Sequence, residues 1–183
     1  WQADEQFNVG FDFAILKNRI SGTVDYFQKT TTDLLYPSYP IQPAPQGSVV
    51  TWKNLDGEIL NTGLEASINA SIINDENVAW DLGANATFVK NNVSGLESPI
   101  LTGYLTGGGM SDVTVQQIKN DAPMNTFYTR KYLGIDPSTG SSIYDDNGAF
   151  FNVGNPNPTS LLGINTTFRY KKISFTANMY GAF

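Results

Sequence analysis

Large apolar side chains occupy every odd position from 7 to 15, namely Phe7, Val9, Phe11, Phe13 and Ile15, while Asn8, Gly10, Asp12 and Ala14 between them are polar or small. Side chains on a strand alternate between the two faces of a sheet, so this period of two predicts a strand with one apolar and one wet face. The same alternation recurs five times. It predicts strands over about 20–28 (Ile20, Val24 and Tyr26 on the apolar side), 63–72 (Leu64, Ile68, Ile72), 80–88 (Trp80, Leu82, Phe88), 162–170 (Leu162, Ile164, Phe168, Tyr170) and 173–183 (Ile173, Phe175, Met179, Phe183). A slip of one residue would turn any of these faces over. Asp12, Arg19, Asp25, Glu65, Asp81 and Arg169, the ionisable residues within or bordering the six stretches, all have the parity of the polar face.

The connections alternate in length. Short turns fall at Lys17, Asn18 and Arg19, at 74–77 and at Lys171 and Lys172, as in hairpins. Two other connections are long, about 29–60 and about 90–159, and loops of that length need a reason. Short turns on one rim and long loops on the other match a transmembrane barrel with short periplasmic turns and long extracellular loops. Strand lengths fit the roughly 9–11 residues that a tilted membrane-spanning strand needs. Aromatic residues gather at the ends of the apolar faces, Phe7, Tyr26, Phe88 and Phe183 toward the long loops and Trp80 and Tyr170 toward the short turns, as two interfacial girdles would require.

The fold expected is therefore all-β, an antiparallel transmembrane β-barrel fragment of about six strands. Single-chain bacterial barrels begin at about eight strands, and an open sheet edge cannot face lipid. Residues 1–183 are thus expected to be part of one larger outer-membrane barrel domain. Phe183 fits either a terminal aromatic of such a barrel or a cut end. The rival expectation is a soluble β-sandwich that binds carbohydrate. It would need regular strands in the second long loop to complete two sheets.

Composition narrows the function. Charged residues are 15% of the chain, against about 25% in ordinary soluble domains, and aromatics are 13%. The net charge of −6 argues against nucleic-acid binding. The chain has no Cys and no His, so it lacks a thiol nucleophile, a disulfide framework and the commonest general base and transition-metal ligand. No apolar run reaches the roughly 20 residues of a transmembrane helix, and no leader is expected at Trp1. Enzymatic activity and a bound cofactor are not expected.

A family resemblance then emerges from segments spread along the chain: 5–13, from Glu5 to Phe13; 18–27, with Arg19, Gly22, Asp25 and Tyr26; Thr32, Asp33, Leu34 and Leu35; 57–65, from Gly57 to Glu65; Phe127 and Tyr128; 134–140, with Gly134, Asp136, Pro137 and Gly140; and Gly154, Asn155, Pro156, Asn157 and Pro158. In this order they resemble the late barrel region of SusC/RagA-like TonB-dependent transporters of Bacteroidetes outer membranes. The resemblance implies a large barrel with a plug in its lumen, a SusD-like surface lipoprotein as lid, and import of glycans or peptides with energy delivered by TonB, a plugged architecture known for 22-stranded transporters. No candidate plug or TonB-contact segment is expected within these 183 residues. A passive porin would differ by lacking a plug in its parent gene.

Within the long loops, Tyr36, Pro37, Ser38, Tyr39 and Pro40, with Pro43 and Pro45, suggest extended polyproline character. They serve either as a stiff spacer or as a surface toward lid or substrate. Trp52 is the strongest single candidate for contact with substrate or partner, joined by Tyr36, Tyr39 and Tyr128. Most of the second loop's aromatics (Tyr104, Phe127, Tyr128, Tyr132, Tyr144, Phe150, Phe151) are expected to pack the loop itself. Asp136 and Asp145 stand in the only oxygen-rich stretch, whose spacing fails an EF-hand and suits two turns around Ser142, Ile143 and Tyr144; no metal site is assigned there. Gly107, Gly108 and Gly109 lack the Lys of a phosphate loop, and Asn-x-Ser/Thr triplets at Asn69, Asn85, Asn92 and Asn165 arise from polar strand faces.

Overall fold

The computed structural model describes residues 1–38, 51–107 and 110–183. Fourteen strands appear among them: β1 (Ala3–Ile15), β2 (Ile20–Thr32), β3 (Leu34–Ser38), β4 (Thr51–Leu55), β5 (Glu58–Asn74), β6 (Val78–Ser94), β7 (Ile100–Gly107), β8 (Met110–Ile118), β9 (Thr126–Arg130), β10 (Tyr132–Ile135), β11 (Ser142–Tyr144), β12 (Phe150–Gly154), β13 (Ser160–Tyr170) and β14 (Ile173–Ala182). A single 3-10 turn covers Asp145–Gly148. Among the described residues no helix is long and apolar enough to cross a membrane, which has no bearing on crossing by strands. The chain divides into two compact units. One holds 5–29, 61–90 and 158–183; the other holds 1–4, 30–60 and 91–157.

The first unit is built from a six-stranded sheet in the order β1-β2-β5-β6-β13-β14. All six strands expected from the alternation are present, and chain neighbours at the three short turns are sheet neighbours. The register is regular. Ile164 faces Ala84 on one side and Met179 on the other, and Phe168 faces Trp80 and Phe175. The turns use left-handed backbone: Leu16, Lys17 and Asn18 have φ of 53, 56 and 64°, and Lys171 has 53°. Asp75 N donates to Val78 O at 2.8 Å to close the middle turn.

The apolar side chains of this sheet are exposed. Phe11 is 67% exposed, Ile68 46%, Ile164 43% and Phe175 62%. Among the described residues the buried apolar side chains are Val93, Leu96 and Ala122, and all three lie in the other unit. A sandwich would bury one face of each sheet. The second long connection does contain regular strands, as the sandwich reading required, but they pair among themselves in sheets that do not include the six wall strands.

One polar atom on the apolar face is already satisfied. Thr166 has the parity of that face, and its hydroxyl donates to Asp81 O at 3.3 Å while accepting from Trp80 Nε1 at 2.9 Å. In hydrocarbon an unsatisfied hydroxyl costs several kcal/mol. The pairing also turns the indole N–H toward a partner inside the sheet.

The strands run past the expected ends on the long-loop side. β5 begins at Glu58 rather than 63, and β6 continues to Ser94 rather than 88. On the apolar parity, Phe7 is followed outward by Glu5, Leu60 by Glu58, and Phe88 by Lys90 and Asn92. The opposite parity turns apolar there, and Val93 is 0% exposed. The alternation that marks a lipid-facing strand thus stops at the aromatic girdle, while the backbone ladder goes on.

The second unit fills the long connections with structure. β7, β8, β9 and β12 form a four-stranded sheet in the order β12-β9-β8-β7, and β3 with β4 and β10 with β11 make two hairpins. Its small core is fixed by backbone caps. Asn120 holds Leu96 at both ends, Oδ1 accepting from Leu96 N at 2.9 Å and Nδ2 donating to Leu96 O at 2.8 Å. Val93 and Ala122 bridge at 2.9–3.0 Å through Val93 N→Ala122 O and Asp121 N→Val93 O. Residues 36–38, expected to be polyproline-like, pair instead as strand β3, with Pro37 opposite Trp52. A two-stranded hairpin has only edges, where a residue without an N–H is tolerated.

Candidate functional site

The polar face of the six-stranded sheet presents a graded surface. Rows of cross-strand neighbours on β6, β13 and β14 run from the short turns inward as Ala79–Arg169–Ser174, Asp81–Thr167–Thr176, Gly83–Asn165–Asn178 and Asn85–Gly163–Tyr180. Thr167 and Thr176 share a hydroxyl hydrogen bond at 3.3 Å. On the other side, Thr23 and Ser67 do so at 2.9 Å between β2 and β5. Asp25 reaches over Gly10, and a Cβ at Gly10 would collide with its carboxylate. Phe27 lies over Gly63 in the same way. Glycines on this face therefore make room for long neighbours, and the six charges singled out by parity stay off the apolar side.

The four candidate contact residues do not assemble into one site. Trp52 on β4 is 68% exposed. Tyr36 faces Lys53 across the hairpin, one position from the pair of Pro37 with Trp52, so its side chain takes the opposite side from Trp52. Tyr39 lies outside the described residues. Tyr128 belongs to the separate four-stranded sheet, where its ring packs 5.3 Å from Phe150, tilted by 33°. Arg130 stacks on that cluster, 5.3 Å from the Phe150 ring and 5.7 Å from Tyr144, and Tyr132 meets Tyr144 edge-on at 6.1 Å. Tyr128, Tyr132, Tyr144 and Phe150 thus do the loop packing expected of the aromatics. Arg130 is the part that sequence reasoning missed. Its position between aromatics at alternate strand positions (Tyr128, Tyr132) was the available signal.

Asp136 and Asp145 each have a local partner. Asp136 Oδ1 accepts from Ser138 N at 2.8 Å and from Ser138 Oγ at 2.7 Å, and Gly140 with φ of 71° closes the turn. Asp145 Oδ2 pairs with Lys131 Nζ at 3.1 Å, an exposed bridge of the kind worth about 0–1 kcal/mol. Among the described residues no group of three or more His, Cys, Asp or Glu is gathered to hold a metal ion. The hydrogen bonds from the Ser138 hydroxyl, then from the Ser138 backbone, hold the Asp136 carboxyl below its usual 3.8. A depressed carboxyl stabilises the turn above pH 3.8, and that contribution disappears as pH falls through the lower folded value. Carboxyl-resolved NMR is expected to give Asp136 a midpoint below 3.8, and Ser138→Ala to move it upward. A midpoint that ignores Ser138→Ala would refute this account of the turn.

An antiparallel sheet, bare and apolar on one side, wet and charged on the other, with aromatic girdles and short turns at one rim, defines the wall of a transmembrane barrel. Residues 5–180 match the family described as "TonB dependent receptor-like, beta-barrel", and the chain belongs to that family. It is 26% identical over 205 residues to TonB-dependent receptor P3 of Formosa agariphila, covering 98% of this chain and 20% of that protein. It is 27% identical over 195 residues to the TonB-dependent receptor SusC of Bacteroides thetaiotaomicron, covering 98% of this chain and 19% of the relative. The fold superposes on a chain in the structure of the RagAB peptide transporter with a TM-score of 0.75 at 22% identity, covering 98% of this chain and 21% of that one. The chain therefore spans about a fifth of the length of the curated relatives it matches. These strands are outer-membrane strands, with the bare side chains toward lipid and the polar face toward the lumen.

Proposed function

We propose that the chain is a wall segment of an outer-membrane importer of glycans or peptides, belonging with its two inserts to one barrel domain of a longer protein. The observation that carries this reading is the match over residues 5–180 to the receptor-barrel family, reinforced by relatives that include a SusC. In this reading the sheet walls the conduit and the inserts help shape the substrate cavity. A SusD-like surface lipoprotein covers the cavity, and TonB supplies energy through other parts of the parent protein. The role is one of passage and binding, with no bond-making step assigned to these residues. Trp52, Tyr36, Tyr39 and Tyr128 are proposed contacts with substrate or lid, and Trp52 is favoured because its ring is bare. Uptake of labelled oligosaccharides and oligopeptides by cells carrying or lacking the parent gene tests the reading. Loss of uptake on deletion, with restoration by the wild-type gene, is the expected result. Unchanged uptake of both classes would sink the importer. In the same assay Trp52→Ala is expected to reduce uptake several-fold without lowering the amount of protein in the outer membrane.

A further inference from the structure

Lys171 and Lys172 alone make up the turn between β13 and β14, at the short-turn rim. They stand at the edge of the face that meets lipid. On that face the two rows nearest the rim are Val78–Tyr170–Ile173 and Trp80–Phe168–Phe175. Lys171 Nζ lies over the Tyr170 ring, 5.3 Å from its centre. The ring face attracts the cation, and the lysine stem lies against apolar surface while its charge stays at the boundary. The ammonium is thereby held on the lipid side of the wall.

The surroundings leave that charge available. The turn is fixed in place, because Lys171 takes a φ of 53° and its N–H donates to Asn77 O of the neighbouring turn at 2.7 Å. Both lysines are exposed. Among the described residues neither pairs with a carboxylate, and that includes Asp75 and Glu76 of the neighbouring turn. Trp80, the other amphipathic side chain at this rim, has already given its indole N–H to Thr166 at 2.9 Å. Polar contact with lipid at this edge of β6, β13 and β14 therefore falls to the lysines and the Tyr170 hydroxyl.

We propose that Lys171, held over Tyr170 and joined by Lys172, docks the headgroup of an anionic phospholipid in the periplasmic leaflet, with an acyl chain lying on Ile173, Phe168 and Phe175. The apolar part of the ligand follows from the sheet itself, whose bare side chains meet hydrocarbon. The headgroup follows from charge. A phospholipid brings a phosphodiester to this depth. In phosphatidylglycerol that charge is uncompensated, whereas phosphatidylcholine carries its own ammonium, so two lysines without an internal partner favour the former. The attraction is electrostatic and weakens with salt. The inference rests on the outer-membrane placement of these strands and holds whatever cargo the parent carries.

The test uses the full-length parent protein in phosphatidylcholine vesicles that contain a trace of phosphatidylglycerol or phosphatidylcholine with a diazirine at the top of one acyl chain. After photolysis, peptide mass spectrometry locates the labelled residues. Peptides holding Ile173 and Phe175 are expected to carry about five-fold more label from phosphatidylglycerol than from phosphatidylcholine, the preference that one lysine near a charged surface supplies. Lys171→Gln should bring the two lipids within about two-fold of each other, Tyr170→Ala should do the same, and Tyr170→Phe should keep the preference because the ring still holds the cation. Raising the salt should shrink it. The peptide holding Phe7, at the opposite rim, should show no preference. Heat-modifiability on gels checks that each variant still forms the barrel. Equal labelling of Ile173 and Phe175 by the two lipids would overturn the site, as would a preference that survives Lys171→Gln or one that appears equally at Phe7. Loss of the preference on adding glycerol phosphate would mean that the lysines bind phosphate without lipid, and the lipid claim would fall.

Discussion

Phe11→Arg is expected to destabilise the parent barrel by about 2–4 kcal/mol, the range for a cation on the lipid face near mid-membrane. Phe11 has the apolar parity at the middle of β1 and is 67% exposed on a sheet whose bare side meets hydrocarbon. Glu5 lies on the same strand and the same face, beyond Phe7. Glu5→Arg is expected to cost about 0–1 kcal/mol, as near an interface. Thr167→Arg, on the lumen face beside Asp81, should change stability by less than about 0.5 kcal/mol. Equilibrium unfolding of the parent in lipid vesicles measures all three. Equal losses for Phe11→Arg and Thr167→Arg would mean that the two faces see the same medium, and the assignment of lipid and lumen would then be wrong.

Gly22→Val is the second large effect, at about 1–3 kcal/mol from overpacking. A Cβ at Gly22 would run into the Ser67 carbonyl oxygen of β5 and into the Phe13 ring of β1. The ring could swing away, but the carbonyl is part of the ladder and cannot move without lengthening a backbone hydrogen bond. Gly154, where a Cβ meets nothing within 4 Å, is the internal control, and Gly154→Ala should be nearly neutral. Heat-modifiability midpoints of the two variants report the difference. Matching midpoints would show that β2 and β5 approach less closely than described.

How far the sequence foretold these features depended on whether a solvent boundary enforced the pattern. All six wall strands could be read because lipid on one side and water on the other forces strict alternation, and a charge such as Asp25 or Arg169 then marks its face. The extra turns of β5 and β6 could not be read. Beyond Phe88, Lys90 and Asn92 occupy the outer parity while Val93 packs inward, so the rule inverts within four residues. Strands β7, β8, β9 and β12 were hidden for a related reason. They are short, partly buried on mixed faces, and tied by side-chain caps such as Asn120 on Leu96 rather than by periodicity. Pairing across a hairpin, as of Pro37 with Trp52, is a long-range fact that no local pattern around Pro37 encodes.

The length of β5 and β6 has a mechanical consequence. Each has 17 residues, about 56 Å of extended chain, whereas a tilted crossing uses roughly 9–11 residues. The surplus rises out of the bilayer as an uninterrupted girder, hydrogen-bonded by the same ladder that anchors it in the oil.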